Sequence, residues 1–161
     1  MKPLTTCLWF DTQAEEAAHF YVSLFEDGEI GEISRYGKAG QEVHGRPEGS
    51  VMTVEFRMRG QDFVGLNGGP QFKFNEAVSF QIFCDSQAEV DRYWEKLGAD
   101  GGQPGPCGWI KDRFGLSWQV VPTRLMELMK DKDRAKAGRT MNAMLKMGKI
   151  DIAGLERAAT G

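Results

Sequence analysis

Side chains that hold metals are scarce in this chain. Of its 161 residues two are histidine, His19 and His44, and three are cysteine, Cys7, Cys84 and Cys107. The cysteines are odd in number and show no close metal spacing, so they read as reduced thiols in a cytosolic protein. Basic stripes are missing as well. Lys and Arg are spread through the chain, and a net charge of −3 with a pI near 5.5 argues against nucleic acid as a partner. No apolar run reaches spanning length, and Met1-Lys2-Pro3 leads into a strand-like run without a signal peptide. The expectation is a cytoplasmic protein without membrane or nucleic-acid partners. Its hydrophobic share of 41% and charged share of 27% are ordinary for a globular protein. The length suits one domain, or two half-size units that cannot stand alone.

What is present is a repeat. Asp11-Thr12-Gln13-Ala14-Glu15 returns 74 positions later as Asp85-Ser86-Gln87-Ala88-Glu89. Each copy follows a short apolar run, Leu4 to Phe10 or Val78 to Cys84, and opens an amphipathic stretch. Thr12-x-x-Glu15 and Ser86-x-x-Glu89 both have the form of a capping box. Behind them Ala14, Ala17, Tyr21 and Leu24, then Val90, Tyr93, Trp94 and Leu97, fall on single helical faces. Two similar supersecondary units follow from a repeat of this length.

After the first helix, strands are predicted over 30–36, 51–59 and 62–67; after the second, over 107–111 and 116–121. The stretch 101–106 reads as a loop. Lys38 to Ser50 is a long glycine-rich connection and reads as a mobile flap carrying His44, whereas His19 reads as a helix-surface residue. Beyond Pro122 the pattern turns helical over 125–129, 134–147 and 151–159. The methionines at 126, 129, 141, 144 and 147 read as packing residues of a core or a dimer.

Paired βαβββ units, Leu8-Trp9-Phe10-Asp11 before the first helix, and the block from Gly108 to Gln119 (Gly-Trp-Ile-Lys-Asp-Arg-Phe-Gly-Leu-Ser-Trp-Gln) carry a resemblance. The chain resembles the vicinal oxygen chelate (glyoxalase/bleomycin-resistance/dioxygenase) superfamily. Within it the chain is similar to the PhnB-like branch, often labelled 3-demethylubiquinone-9 3-methyltransferase, over essentially its whole length, the Lys149-Ile150-Asp151-Ile152 segment included. The resemblance implies an α+β fold in which two βαβββ units form half-barrel sheets around a cleft. It implies a glyoxalase-like domain over 1–122, its units at about 1–70 and 76–122, and a helical C-terminal extension over 123–161. In the metal enzymes of the superfamily each unit supplies one ligand from its first and one from its last strand. Carried over, those places fall near Thr5, Asn67, Ser79 and Gln119, a poor set for a divalent ion. No metal and no cofactor are expected.

With Thr5 and Ser79 taken as inward, strand alternation turns Cys7, Trp9, Gln81 and Phe83 inward too, and sets Leu8, Phe10, Phe80, Ile82 and Cys84 under the helices. Thr53, Glu55 and Arg57 then face in, as do Ser117, Gln119 and Val121. Such a polar and aromatic face suits a ligand better than a closed core. Glu55 is the candidate acid or base, with an ion pair to Arg57 as the plainer role. Cys7 lacks a histidine to activate it as a nucleophile. Trp9 and Trp109 offer flat surfaces for stacking or for packing. The ligand-binding set is Thr5, Cys7, Trp9, Thr53, Arg57, Asn67, Ser79, Gln81, Trp109 and Gln119.

The expected function is binding of an unidentified small molecule by a homodimer, without metal. The alternative is an enzyme of the superfamily (a lyase, a dioxygenase or the labelled methyltransferase) using Glu55 and polar groups of the cleft. Methyl transfer is disfavoured, because the glycine-rich turn after a buried parallel strand that S-adenosylmethionine sites use is missing.

Overall fold

A computed structural model describes residues 4–161. The chain divides into two compact units, Met1–Lys73 and Phe74–Gly161.

In the first unit β1 (Thr6–Phe10) leads into α1 (Ala14–Ser23), and β2 (Glu29–Arg35), β3 (Val51–Met58) and β4 (Gln61–Asn67) follow. The sheet order is β1-β4-β3-β2: the last three strands form an antiparallel meander, and β4 returns to pair in parallel with β1. Strand alternation decides which face is buried. Leu8, Phe10, Val54, Phe56, Met58 and Phe63 are buried together with Ala14, Ala17, Ala18, Tyr21 and Leu24 of α1 and its end. Helix and sheet approach closely because the contact is made of small residues. A Cβ on Gly65 of β4 would already lie 3.2 Å from the Cβ of Ala14.

The second unit repeats the plan with β5 (Ser79–Cys84), α3 (Gln87–Gly98), β6 (Gln103–Pro104), β7 (Trp109–Lys111) and β8 (Ser117–Pro122) in the order β5-β8-β7-β6. β5 and β8 are parallel, as β1 and β4 are. The paired-unit architecture expected from the repeat is present, and each sheet is open. The 101–106 stretch, read as a loop, contains the two-residue strand β6; its prolines stop the ladder from growing on this edge.

The two caps differ. Ser86 Oγ accepts from Glu89 N at 3.2 Å while the Glu89 carboxylate accepts from Asp85 N at 2.6 Å, a capping box whose return bond takes the amide one residue before the cap. Thr12 does not cap α1. Gln13 is the N-cap and makes no side-chain bond there; Asn67 Oδ1, from the end of β4, accepts from Ala14 N at 2.8 Å instead. A residue distant in sequence has replaced the local hydroxyl.

The 38–50 connection holds the single helical turn α2 (Gln41–His44). Its ends are tied by Tyr36 N to Ser50 O and Gly49 N to Tyr36 O. Arg46 reaches Asp11 at 3.2 Å, and His44 stacks on Tyr36 with ring centres 4.6 Å apart. His19 is exposed on α1, as read from the sequence.

After β8 come α4 (Thr123–Met129), α5 (Arg134–Met144) and α6 (Ile152–Thr160). Val121, Leu125, Leu128, Ile150, Leu155 and Ala159 form one buried cluster, with Met129, Met144 and Met147 packed against it. Val121, predicted to face a cleft, therefore packs among the C-terminal helices: an apolar side chain at the strand's end takes the apolar partner available. Among the described residues no helix is long and apolar enough to cross a membrane.

Candidate functional site

On the first sheet, the face away from α1 presents Cys7 and Trp9 from β1, Val64 and Leu66 from β4, and Thr53, Glu55 and Arg57 from β3. The register sets Cys7 and Glu55 on either side of Val64, and Trp9 and Thr53 on either side of Leu66. A hollow of about 370 Å³ is lined by Thr5, Glu29, Gly31, Glu55, Arg57 and Val64, among others. Glu55 is exposed, and its carboxylate has no ion pair or hydrogen bond among the described residues. Arg57 turns instead to Asp62, at 3.6 Å, and to Gly60 O. Desolvation pushes the Cys7 thiol up, which makes it a weaker nucleophile at neutral pH.

Trp9 is held in place. Its indole N–H donates to Gly69 O at 2.8 Å, and Phe72 meets the ring edge-on with centres 4.9 Å apart. Gly68 lies so close that a Cβ there would come within 2.3 Å of the ring.

Asn67 belongs to the other face. It is 6% exposed, and its amide is used by Ala14 N and by Val51 O. The position carried over from the metal enzymes is thus turned toward the helix, while its neighbour Leu66 occupies the open face. One residue of register moves a side chain across the sheet.

On the second sheet, Gln119 Nε2 donates to Ser79 Oγ at 2.8 Å, and Gln81 Nε2 donates to Gln119 Oε1 at 3.3 Å. Trp109 is paired with Gln119 across β7 and β8, and Lys111 with Ser117. A hollow of about 460 Å³ opens beside them, with Pro104, Pro106, Trp109, Lys111, Ser117 and Glu76 in its lining. Lys111 forms an ion pair with Glu76, and that hydrogen bond is the main cause holding the Glu76 carboxyl below the usual carboxylate range. Ser117 is 1% exposed, and its Oγ has no hydrogen-bond partner among the described residues. Leaving a buried hydroxyl unsatisfied costs roughly 1–3 kcal/mol.

The candidate set drawn from the sequence therefore falls on two faces, with Cys7, Trp9, Thr53, Glu55 and Arg57 on one sheet, Thr5 just before its first strand, and Ser79, Gln81, Trp109 and Gln119 on the other sheet. Three contributors lie outside that set: Ser117, which alternation alone turns to the open face, Lys111 and Glu76. Lys111 follows from the alternation that puts Ile110 under the helix. Glu76 sits in a loop, where no periodic signal marks it.

Comparison with known proteins bears on this arrangement. The family model for 3-demethylubiquinone-9 3-methyltransferase matches residues 2–121. The chain belongs to that family. A PhnB protein from Bacillus cereus is 34% identical, with a TM-score of 0.64, over 75% of this chain and 99% of that one. A protein from Pseudomonas aeruginosa shares the fold at 19% identity, with a TM-score of 0.59, over 76% of this chain and 98% of that one. No curated protein matches. The family match stops before α4, whereas the sequence resemblance had been extended into the tail; the C-terminal helices lie outside it.

The family name and the wider superfamily imply two groups that the residues here do not fit. For a divalent ion, the carried-over donors are Thr5, Ser79, Gln119 and an Asn67 already committed to α1, and Gln119 is bonded to Ser79. Among the described residues no three His, Cys, Asp or Glu side chains are grouped to hold a metal. For S-adenosylmethionine, the turns that lead from β1 into α1 and from β5 into α3 are Asp11-Thr12-Gln13 and Asp85-Ser86-Gln87. Neither is glycine-rich, and Ser86 is occupied as a helix cap. In this member of the 3-demethylubiquinone-9 3-methyltransferase family the residues at those places fit neither group.

Proposed function

We propose that this protein binds a small molecule on an open sheet face, without a divalent metal of the glyoxalase type, and that it works as a homodimer. The observation that supports the reading best is the hollow of the second sheet: about 460 Å³, walled by Trp109, Pro104 and Pro106, with the Lys111 ammonium at its rim and the unpartnered Ser117 hydroxyl in its lining. Apolar walls with few polar groups are the usual composition of a ligand pocket. A closed core would have no use for the Ser79–Gln119–Gln81 chain of side-chain bonds on the same face. The exposed side chains of Met126, Met141 and Leu145 on the C-terminal helices support a second copy as partner.

A thermal-shift screen of metal-stripped protein tests the reading, because a ligand that binds only the native state raises the midpoint by mass action. The expected result is a shift with one or more small aromatic compounds and none with Mg²⁺, Mn²⁺, Ni²⁺ or Zn²⁺. A shift with a metal alone overturns it.

Catalysis by Glu55 is a second reading, favoured by its unpaired carboxylate in the hollow of the first sheet. Glu55→Gln would then abolish turnover of any compound found in the screen while leaving its thermal shift. Equal turnover by wild type and variant removes this reading.

A further inference from the structure

The structure assigns the hollow on the second sheet to an aromatic ring bearing an anionic oxygen, an aryl carboxylate in the simplest case. The assignment rests on the binding reading above and names the ligand class that reading leaves open. Three features of the hollow select it, each independent of the others.

The first is the orphaned hydroxyl. Ser117 is 1% exposed, lines the hollow, and has an Oγ with no partner among the described residues. Buried polar groups in folded proteins are almost always satisfied, so such a group facing a hollow calls for an occupant with an acceptor or donor of its own. The second is the cation directly opposite it. Lys111 is the cross-strand partner of Ser117, which sets the two residues side by side on the face that lines the hollow. Both can donate to the same oxygen pair, and a carboxylate accepts on two oxygens. The third is the shape of the remainder. Pro104, Pro106 and the half-buried Trp109 form flat apolar walls, which favour a planar ring over a flexible chain.

Glu76 completes the account. It occupies Lys111 in the absence of ligand, from a loop before β5 and with its own side chain largely exposed. An incoming carboxylate replaces one anion at the ammonium with another and adds the Ser117 bond. Glu76 is therefore a competitor for Lys111, and its removal strengthens ligand binding instead of weakening it. That direction separates this arrangement from an ordinary surface ion pair.

The test uses the full-length ¹⁵N-labelled chain and three probes of one shape: benzoate, benzamide and benzylamine. Amide shifts locate the binding site, and titration gives the affinities. The expected result is benzoate binding that moves the amides of Trp109, Lys111 and Ser117, about tenfold or more tighter than benzamide, with benzylamine not binding there. Lys111→Met is expected to remove the preference for benzoate over benzamide. Glu76→Gln is expected to tighten benzoate several-fold and leave benzamide unchanged. Ser117→Ala weakens both, and because Ser117 is buried, the variants at half-buried Lys111 and exposed Glu76 keep the test decisive if this one misfolds. Benzamide binding in the hollow as tightly as benzoate, or benzylamine binding there at all, overturns the assignment but leaves the binding reading standing. Benzoate shifts confined to the first sheet also overturn it. Failure of all three probes to move the hollow's amides, alongside an empty thermal-shift screen, overturns both.

Discussion

Asp112 shows how one side chain can serve a whole strand end. It is 2% exposed; Oδ1 accepts from Phe114 N at 2.8 Å and Leu116 N at 3.1 Å, and Oδ2 accepts from the Trp118 indole at 2.9 Å. Asp112→Ala strands these donors in the interior, and the expected loss is about 3 kcal/mol or more, read from the shift of a urea unfolding midpoint. Gly68→Ala is the second prediction at this scale. With no room for a Cβ beside Trp9, the ring must move, at a cost of about 1–3 kcal/mol and with a changed near-ultraviolet circular dichroism spectrum. The sequence block from Gly108 to Gln119 is now separable into two jobs. Ile110, Asp112, Leu116, Trp118 and Val120 build the unit, while Trp109, Lys111, Ser117 and Gln119 lie on the other face of the sheet, the first three lining the hollow. Alternation made most of that division legible beforehand. It could not show that Asn67 is spent on capping α1, because that bond joins residues 53 positions apart.

At the scale of elements, the C-terminal helices are attached through a few specific contacts. Gln87 of α3 donates to Ile150 O at 3.1 Å and accepts from Ile152 N at 2.9 Å. Cys107 N donates to Met147 O and Gly108 N to Gly148 O. Lys149 pairs with Asp91, and that hydrogen bond, with a second from Gln87, holds the Asp91 carboxyl low. Its contribution is present above the ordinary carboxylate value and is lost as pH falls through the lowered folded value. Gln87→Ala is expected to speed amide hydrogen exchange around residues 150–152 while leaving β5 and β8 protected. The opposite sign applies to Cys84 beneath α3. Burial first, then the Glu89 charge, pushes its thiol from an ordinary value of 9.0 up to about 12. Below about pH 9 folded and unfolded chains both keep this proton; between there and about 12 only the folded chain does, so stability falls over that window. A series of urea midpoints compared with those of Cys84→Ala checks the slope. Helices and strands with strong periodicity were readable from the sequence. The two-residue β6 was not, because a strand that short has no period to detect.

For the whole molecule, light scattering on the purified chain is expected to give twice 18.0 kDa; a value of 18.0 kDa would set aside the homodimer. The family match ending at residue 121 predicts that a chain truncated after Pro122 still folds its sheets, with a lower melting temperature. Losing Leu155 and Ile150 from the cluster around Val121 removes about 1.5–3 kcal/mol for each side chain. The pairing order within each unit also has a consequence for synthesis. Among the described residues β1 finds its only sheet neighbour in β4, and 50 residues separate Phe10 from Gln61. At about 5–20 residues per second, a growing chain leaves Leu8 and Phe10 without a partner strand for roughly 3–10 s. During that interval the apolar first strand is a target for chaperones, and ribosome-bound intermediates shorter than β4 are the ones expected to be captured by them.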